Sequence, residues 1–121
     1  MTESVDVLVI EDDPAIGRLL SRLLAKLPVS YALATTPHEA LRVLAERPAR
    51  LLLVDGQLGA ERAEPFVGRF REAAPGARVV SISGVLADDA PHDCAPYDGV
   101  AGKPVLLTDL QTLLARWLPP A

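Results

Sequence analysis

The chain has 121 residues, half of them hydrophobic and 23% charged, which is enough for one buried core and too few for two. Its aromatic share of 4% makes that core aliphatic, and a single cysteine, Cys94, excludes both a disulfide framework and a thiolate zinc site. A net charge of −4 speaks against nucleic-acid binding by this domain, no apolar run nears the ~20 residues of a membrane span, and Met1-Thr2-Glu3-Ser4 lacks a basic leader, so a cytoplasmic domain is expected.

Val5-Asp6-Val7-Leu8-Val9-Ile10 is short, β-branched and nearly continuous, the pattern of a strand buried on both faces. It stops at Glu11-Asp12-Asp13-Pro14. Asp13 is placed to cap a helix with Pro14 at its first position, and Ile16, Leu19, Leu20, Leu23, Leu24 and Leu27 then form one helical stripe. Val29 to Ala34 is a weaker second strand. Thr36-Pro37-His38-Glu39 reads as a capping box opening a second helix through Ala40, Leu41, Val43 and Leu44, which Pro48 ends.

Leu51-Leu52-Leu53-Val54 is the third strand, stopped by Asp55-Gly56. Pro65, Phe66, Val67 and Phe70 begin and line a third helix, closed by Pro75-Gly76. Val79-Val80-Ser81-Ile82 is a fourth strand, ended by Ser83-Gly84, and Gly99 to Gly102 is a short fifth. Between them Pro91 and Pro96 cannot share one long straight helix, so a short or distorted fourth helix is expected there. Thr108-Asp109-Leu110-Gln111 reads as another capping box, followed by the stripe Leu110, Leu113, Leu114 and Trp117. This alternation predicts an α/β domain, a doubly wound parallel sheet with helices on both faces. The whole of 1–121 is taken as one domain, with 118–121 as the start of a linker or tail.

In such a sheet functional groups gather beyond the carboxyl ends of the strands. Here those ends carry Glu11, Asp12 and Asp13, then Asp55, then Ser83, and Lys103-Pro104 follows the fifth strand. Clustered carboxylates call for a cation, and an all-oxygen set with room for water suits Mg²⁺ or Mn²⁺ better than zinc. A carboxylate beside a metal and a lysine can accept a phosphoryl group. Asp13 is assigned to the helix cap rather than to the metal.

Taken in this order, Val7-Leu8-Val9-Ile10-Glu11-Asp12-Asp13-Pro14, Glu39-Ala40-Leu41, Leu51-Leu52-Leu53-Val54-Asp55, Ile82-Ser83-Gly84 and Gly102-Lys103-Pro104 resemble the receiver domain of two-component response regulators over nearly the whole chain. The resemblance implies a flavodoxin-like sheet of five parallel strands in the order 2-1-3-4-5. It implies Asp55 as phosphoacceptor, loaded by a histidine kinase or phosphotransfer protein, with Ser83 and Lys103 contacting the phosphoryl group. Glu11, Asp12, Asp55 and the backbone carbonyl of Gln57 would hold the metal. It also implies a signalling domain rather than an enzyme, passing its state to a downstream protein partner or effector domain, with a homodimer compatible and a kinase contact at the exposed rim near Ile16 and Leu20.

Two departures stand beside it. Val100 occupies a position where many relatives carry an aromatic ring that swings inward, and Pro91 and Pro96 fall where the fourth helix of the output face lies. Those departures keep open a receiver-like interaction module that signals without phosphate. A phosphatase using Asp55 as nucleophile would need a second acid beside it, and position 57 is Gln. A flavin-binding domain would need a phosphate loop after the first strand, which is lacking.

Overall fold

The computed structural model describes residues 4–55, 63–83, 96–102 and 106–119. Strands β1 (Val5–Ile10), β2 (Tyr31–Ala34), β3 (Ala49–Asp55), β4 (Arg78–Ser83) and β5 (Gly99–Gly102) form one all-parallel sheet in the order β2-β1-β3-β4-β5. This is the order the resemblance implies. Helices α1 (Pro14–Ala25), α2 (Pro37–Glu46), α3 (Val67–Ala73) and α4 (Leu107–Trp117) connect and cover it. The expected short or distorted fourth helix falls between 84 and 95, outside the described residues. No helix among the described residues is long and apolar enough to cross a membrane.

Side chains alternate across the central strands and divide the core into two layers. Leu8, Ile10, Leu52, Val54 and Val79 face α2 and α3, where Ala40, Leu44, Val67 and Phe70 meet them. Val7, Val9, Leu51, Leu53, Val80 and Ile82 face α1 and α4, under Leu20, Leu24, Leu110 and Leu114. Burial on both faces explains the unbroken apolar runs of β1 and β3.

Local chemistry sets most of the boundaries. Asp13 caps α1 as expected, its carboxylate accepting from the backbone N–H groups of Ala15 and Ile16. Thr36 caps α2 by accepting from Glu39 N–H at 3.0 Å. The reciprocal half of the expected capping box is shifted by one residue, because Glu39 accepts from the backbone and hydroxyl of Thr35. The Pro65 region opens as a 3-10 turn, Glu64–Phe66, before α3 begins. After α3 the chain reverses at Gly76, whose φ of 86° is the left-handed conformation that glycine adopts at least cost.

At α4 the expected cap is corrected. Leu106 is the N-cap, in extended conformation, and Thr108 lies inside the helix with its carbonyl accepting from the Thr112 hydroxyl at 2.9 Å. Starting earlier adds Leu107 to the stripe of Leu110 and Leu114 against the sheet. That burial outweighs one hydroxyl cap.

Opposite the carboxyl edge, Asp6 ties three segments together. Its carboxylate accepts from Ser30 N–H at 3.0 Å while its own N–H donates to the Ser30 hydroxyl at 2.9 Å. Arg50 of β3 donates to the same carboxylate at 2.8 Å and also to the carbonyl of Pro119 beyond α4. The Ser30 backbone N–H, then Arg50, hold the Asp6 carboxyl below its ordinary value of 3.8 against an opposing cost of burial. A lowered carboxyl stabilises the fold above the unfolded-state pKa and loses that contribution as pH falls through the folded-state value. Asp6→Asn is therefore expected to cost about 1–2 kcal/mol in urea unfolding at neutral pH. The gap between variant and parent closes as the solution is made strongly acidic; a gap unchanged by acid would show that the charge plays no part.

The far edge of the sheet is held by close packing. The indole of Trp117 lies directly on Gly99 of β5, where a Cβ would overlap the ring. Arg116 stacks over that indole at 5.1 Å. Just before β5, the Asp98 carboxylate accepts from Val79 N–H at 2.7 Å and from Arg71 of α3 at 3.1 Å. In the sequence only its position just before a strand marks Asp98.

Candidate functional site

Because the strands are parallel, their carboxyl ends open on one edge. β1 ends at Ile10, and the next residue continues the ladder, Glu11 N–H donating to Ala34 carbonyl at 2.9 Å. Ile10 is in register with Val54, which puts Glu11 beside Asp55 at the end of β3. Asp55 is in register with Ile82, so Ser83 stands one step further out on β4. Ser83 is in turn in register with Gly102, the last residue of β5.

Glu11, Asp12 and Asp55 each present a carboxylate oxygen, and these three oxygens all lie within 4.8 Å of one another. Glu11 is 4% exposed and Asp55 6%, while Asp12 is open to solvent. Two carboxylates held out of water so close to a third repel, and a cation between them relieves the repulsion. Around an ion with about 2.1 Å ligand distances, oxygens sit about 3–4.2 Å apart, so this cluster suits one small divalent cation bound partly through water. The donors are all hard oxygens, which fits Mg²⁺.

The structure thus brings together three of the sequence-predicted site residues. It places the backbone of Ser83 on the same edge. Gln57 and Lys103 lie outside the described residues. Asp13, one residue beyond Asp12, is engaged in capping α1. On β5 the side of Val100 faces solvent at 52% exposure, and Leu106 ahead of α4 is 61% exposed.

No family model and no curated protein matches the sequence. Solved structures do match in fold. A response regulator from Burkholderia pseudomallei, solved with a phosphorylated aspartic acid and a calcium ion, is 22% identical with a TM-score of 0.74, covering 98% of this chain and 67% of that one. The response regulator TrrA from Thermotoga maritima, in complex with Mg²⁺ and BeF, is 18% identical with a TM-score of 0.76 over 96% and 98% of the two chains. The receiver domain of a sensor histidine kinase from Pseudomonas aeruginosa, with magnesium in its active-site cleft, is 19% identical with a TM-score of 0.76 over 95% and 98%. The chain has the fold of response-regulator receiver domains.

Proposed function

We propose that this chain is a phosphorylatable receiver domain, with Asp55 as the acceptor. The observation that carries the reading is the convergence of Glu11, Asp12 and Asp55 within 4.8 Å at the carboxyl edge of a receiver-type sheet. It is supported by the structural neighbours named above, which hold a phosphorylated aspartate or Mg²⁺.

In this reading an Asp55 carboxylate oxygen attacks the phosphorus of a phosphohistidine on a histidine kinase or phosphotransfer protein. The P–N bond breaks as the P–O bond forms, and the imidazole leaves with the electron pair. Glu11, Asp12, Asp55 and the Gln57 carbonyl would hold Mg²⁺, which when bound neutralises charge on the transferring group. Mn²⁺ offers the same coordination chemistry. The Lys103 ammonium would pair with a phosphoryl oxygen, and the Ser83 hydroxyl would donate to another. Burial of Asp55 shields its acyl phosphate from water. The output is a change in protein contacts with a downstream partner or effector domain, in the cytoplasm and with no second reaction. A homodimer is one form such a contact can take.

The test is intact-mass spectrometry after incubation with acetyl phosphate and Mg²⁺. One phosphoryl adduct is expected, lost on chelation of the metal before labelling. No adduct, and no beryllofluoride binding, under conditions that label another receiver would overturn the reading. A second reading, an interaction module that signals without phosphate, is favoured by the exposed, ringless Val100. It predicts the same partner affinity with and without beryllofluoride.

A further inference from the structure

The sheet order leaves two strands with a neighbour on one side only, and β2 is one of them. Its register with β1 decides which of its backbone groups are already used. The carbonyls of Ser30 and Ala34 accept from the N–H groups of Val7 and Glu11. The pairs Leu8 with Ala32 and Ile10 with Ala34 turn the remaining N–H and C=O groups of those two alanines the same way. Tyr31 and Leu33, the alternate residues, therefore point their N–H and C=O groups away from β1. Among the described residues no hydrogen bond reaches these two donors and two acceptors.

Natural edge strands are commonly guarded by a charge, lysine above all. From Pro28 to Pro37 this chain has no charged residue, although 23% of the whole is charged. Leu33 is 39% exposed. Tyr31 is half-buried against the layer that holds α1, and Leu33, two residues on, shares its face of the strand. Ala32 between them carries only a methyl group. The free edge is short, because Pro28 precedes it and the Glu39 carboxylate accepts from Thr35 N–H at its far end. Shortness limits how much another strand can pair here, and nothing charged repels it.

We infer that the free edge of β2 pairs with β2 of a second copy of this chain, antiparallel, about a twofold axis between the two Ala32 residues. Tyr31 of each copy then exchanges both backbone hydrogen bonds with Leu33 of the other, which satisfies all the outward groups. Ala32 stands opposite Ala32 as the non-hydrogen-bonded pair, where Cα atoms approach to about 4.5 Å and a methyl group fits. Tyr31 and Leu33 become apolar cross-strand neighbours on one face, so the exposed leucine is covered. The strand is thus its own complement, with a small residue at the centre and apolar residues on either side, and an isologous pairing uses up this edge in both copies. The inference gives the homodimer a surface and does not rest on the chemistry proposed for Asp55.

The test is sedimentation equilibrium of the whole chain without a phosphoryl donor, where a monomer–dimer equilibrium is expected between about 10 µM and about 500 µM. Amide hydrogen exchange at Tyr31 and Leu33 is expected to slow as the dimer forms, whereas Ala32 and Ala34, bonded to β1, are protected even in dilute protein. Leu33→Pro removes an outward N–H and leaves the β1 ladder whole, a position where an edge strand accepts proline. Leu33→Lys sets a charge opposite Tyr31 of the other copy. Each variant, confirmed as folded by circular dichroism, is expected to weaken dimerisation at least about tenfold. A monomer throughout the concentration range, a dimer that both variants leave unchanged, or slowed exchange confined to another surface would overturn the inference. So would tighter binding of this edge to an extended peptide of alternating Thr and Val than to the second copy.

Discussion

Asp55→Asn is expected to abolish phosphoryl labelling by acetyl phosphate while making the metal-free domain more stable, not less. Asparagine keeps the shape of the side chain and removes the nucleophilic carboxylate, so the adduct disappears from the mass spectrum. The same change removes one of three mutually repelling charges held within 4.8 Å, two of them on residues that are almost fully buried. Relief of that repulsion is expected to raise the unfolding free energy by about 1 kcal/mol at neutral pH and low divalent concentration. Adding Mg²⁺ should then stabilise the parent more than the variant, because a ligand that binds only the folded state stabilises by mass action in proportion to its affinity. Thermal melts with and without Mg²⁺ read both effects. A variant destabilised in the absence of metal would mean that the bonds Asp55 makes outweigh the repulsion from its neighbours.

The second large effect lies at the sheet's far edge. Gly99→Ala is expected to cost about 1–3 kcal/mol, since its Cβ would occupy space already filled by the Trp117 indole. The cost is steric and therefore conditional. In Trp117→Leu the space opens, and adding Gly99→Ala should then cost far less. Urea unfolding of the four proteins of this cycle gives the coupling directly. Additive penalties would show that backbone freedom at Gly99, not the ring, accounts for the loss.

Much of the fold was legible because local and long-range signals agreed. The apolar run Val5–Ile10 is a strand over its whole length, and Asp13-Pro14 starts a helix just where cap and proline say it should. The disagreements arise where a partner distant in sequence decides. β2 begins at Tyr31 rather than Val29, Ser30 being engaged with Asp6. β3 begins at Ala49, two residues before the apolar run, as Val5 N–H reaches the Pro48 carbonyl and extends the pairing. Thr108 looked like a cap, yet burial of Leu107 moved the helix start.

For the site, the residue types at the strand ends were enough to place Glu11, Asp12 and Asp55 on one edge. Their mutual distances and the near-complete burial of Glu11 were not legible, because both depend on the register between β1 and β3. The hold of Trp117 on Gly99 was equally hidden, since it joins two elements through shape rather than pattern.

The bond from Arg50 to the carbonyl of Pro119 has a mechanical meaning. Tension applied to the chain beyond Pro119 is shared: the backbone passes it to α4, and the arginine passes part of it to β3, the middle strand of the sheet. Pulled along its own axis, β3 resists in shear, with its ladders to β1 and β4 bearing the load together. Asp55 is the last residue of that same strand, so the carboxylate proposed as acceptor and the tether occupy opposite ends of one strand.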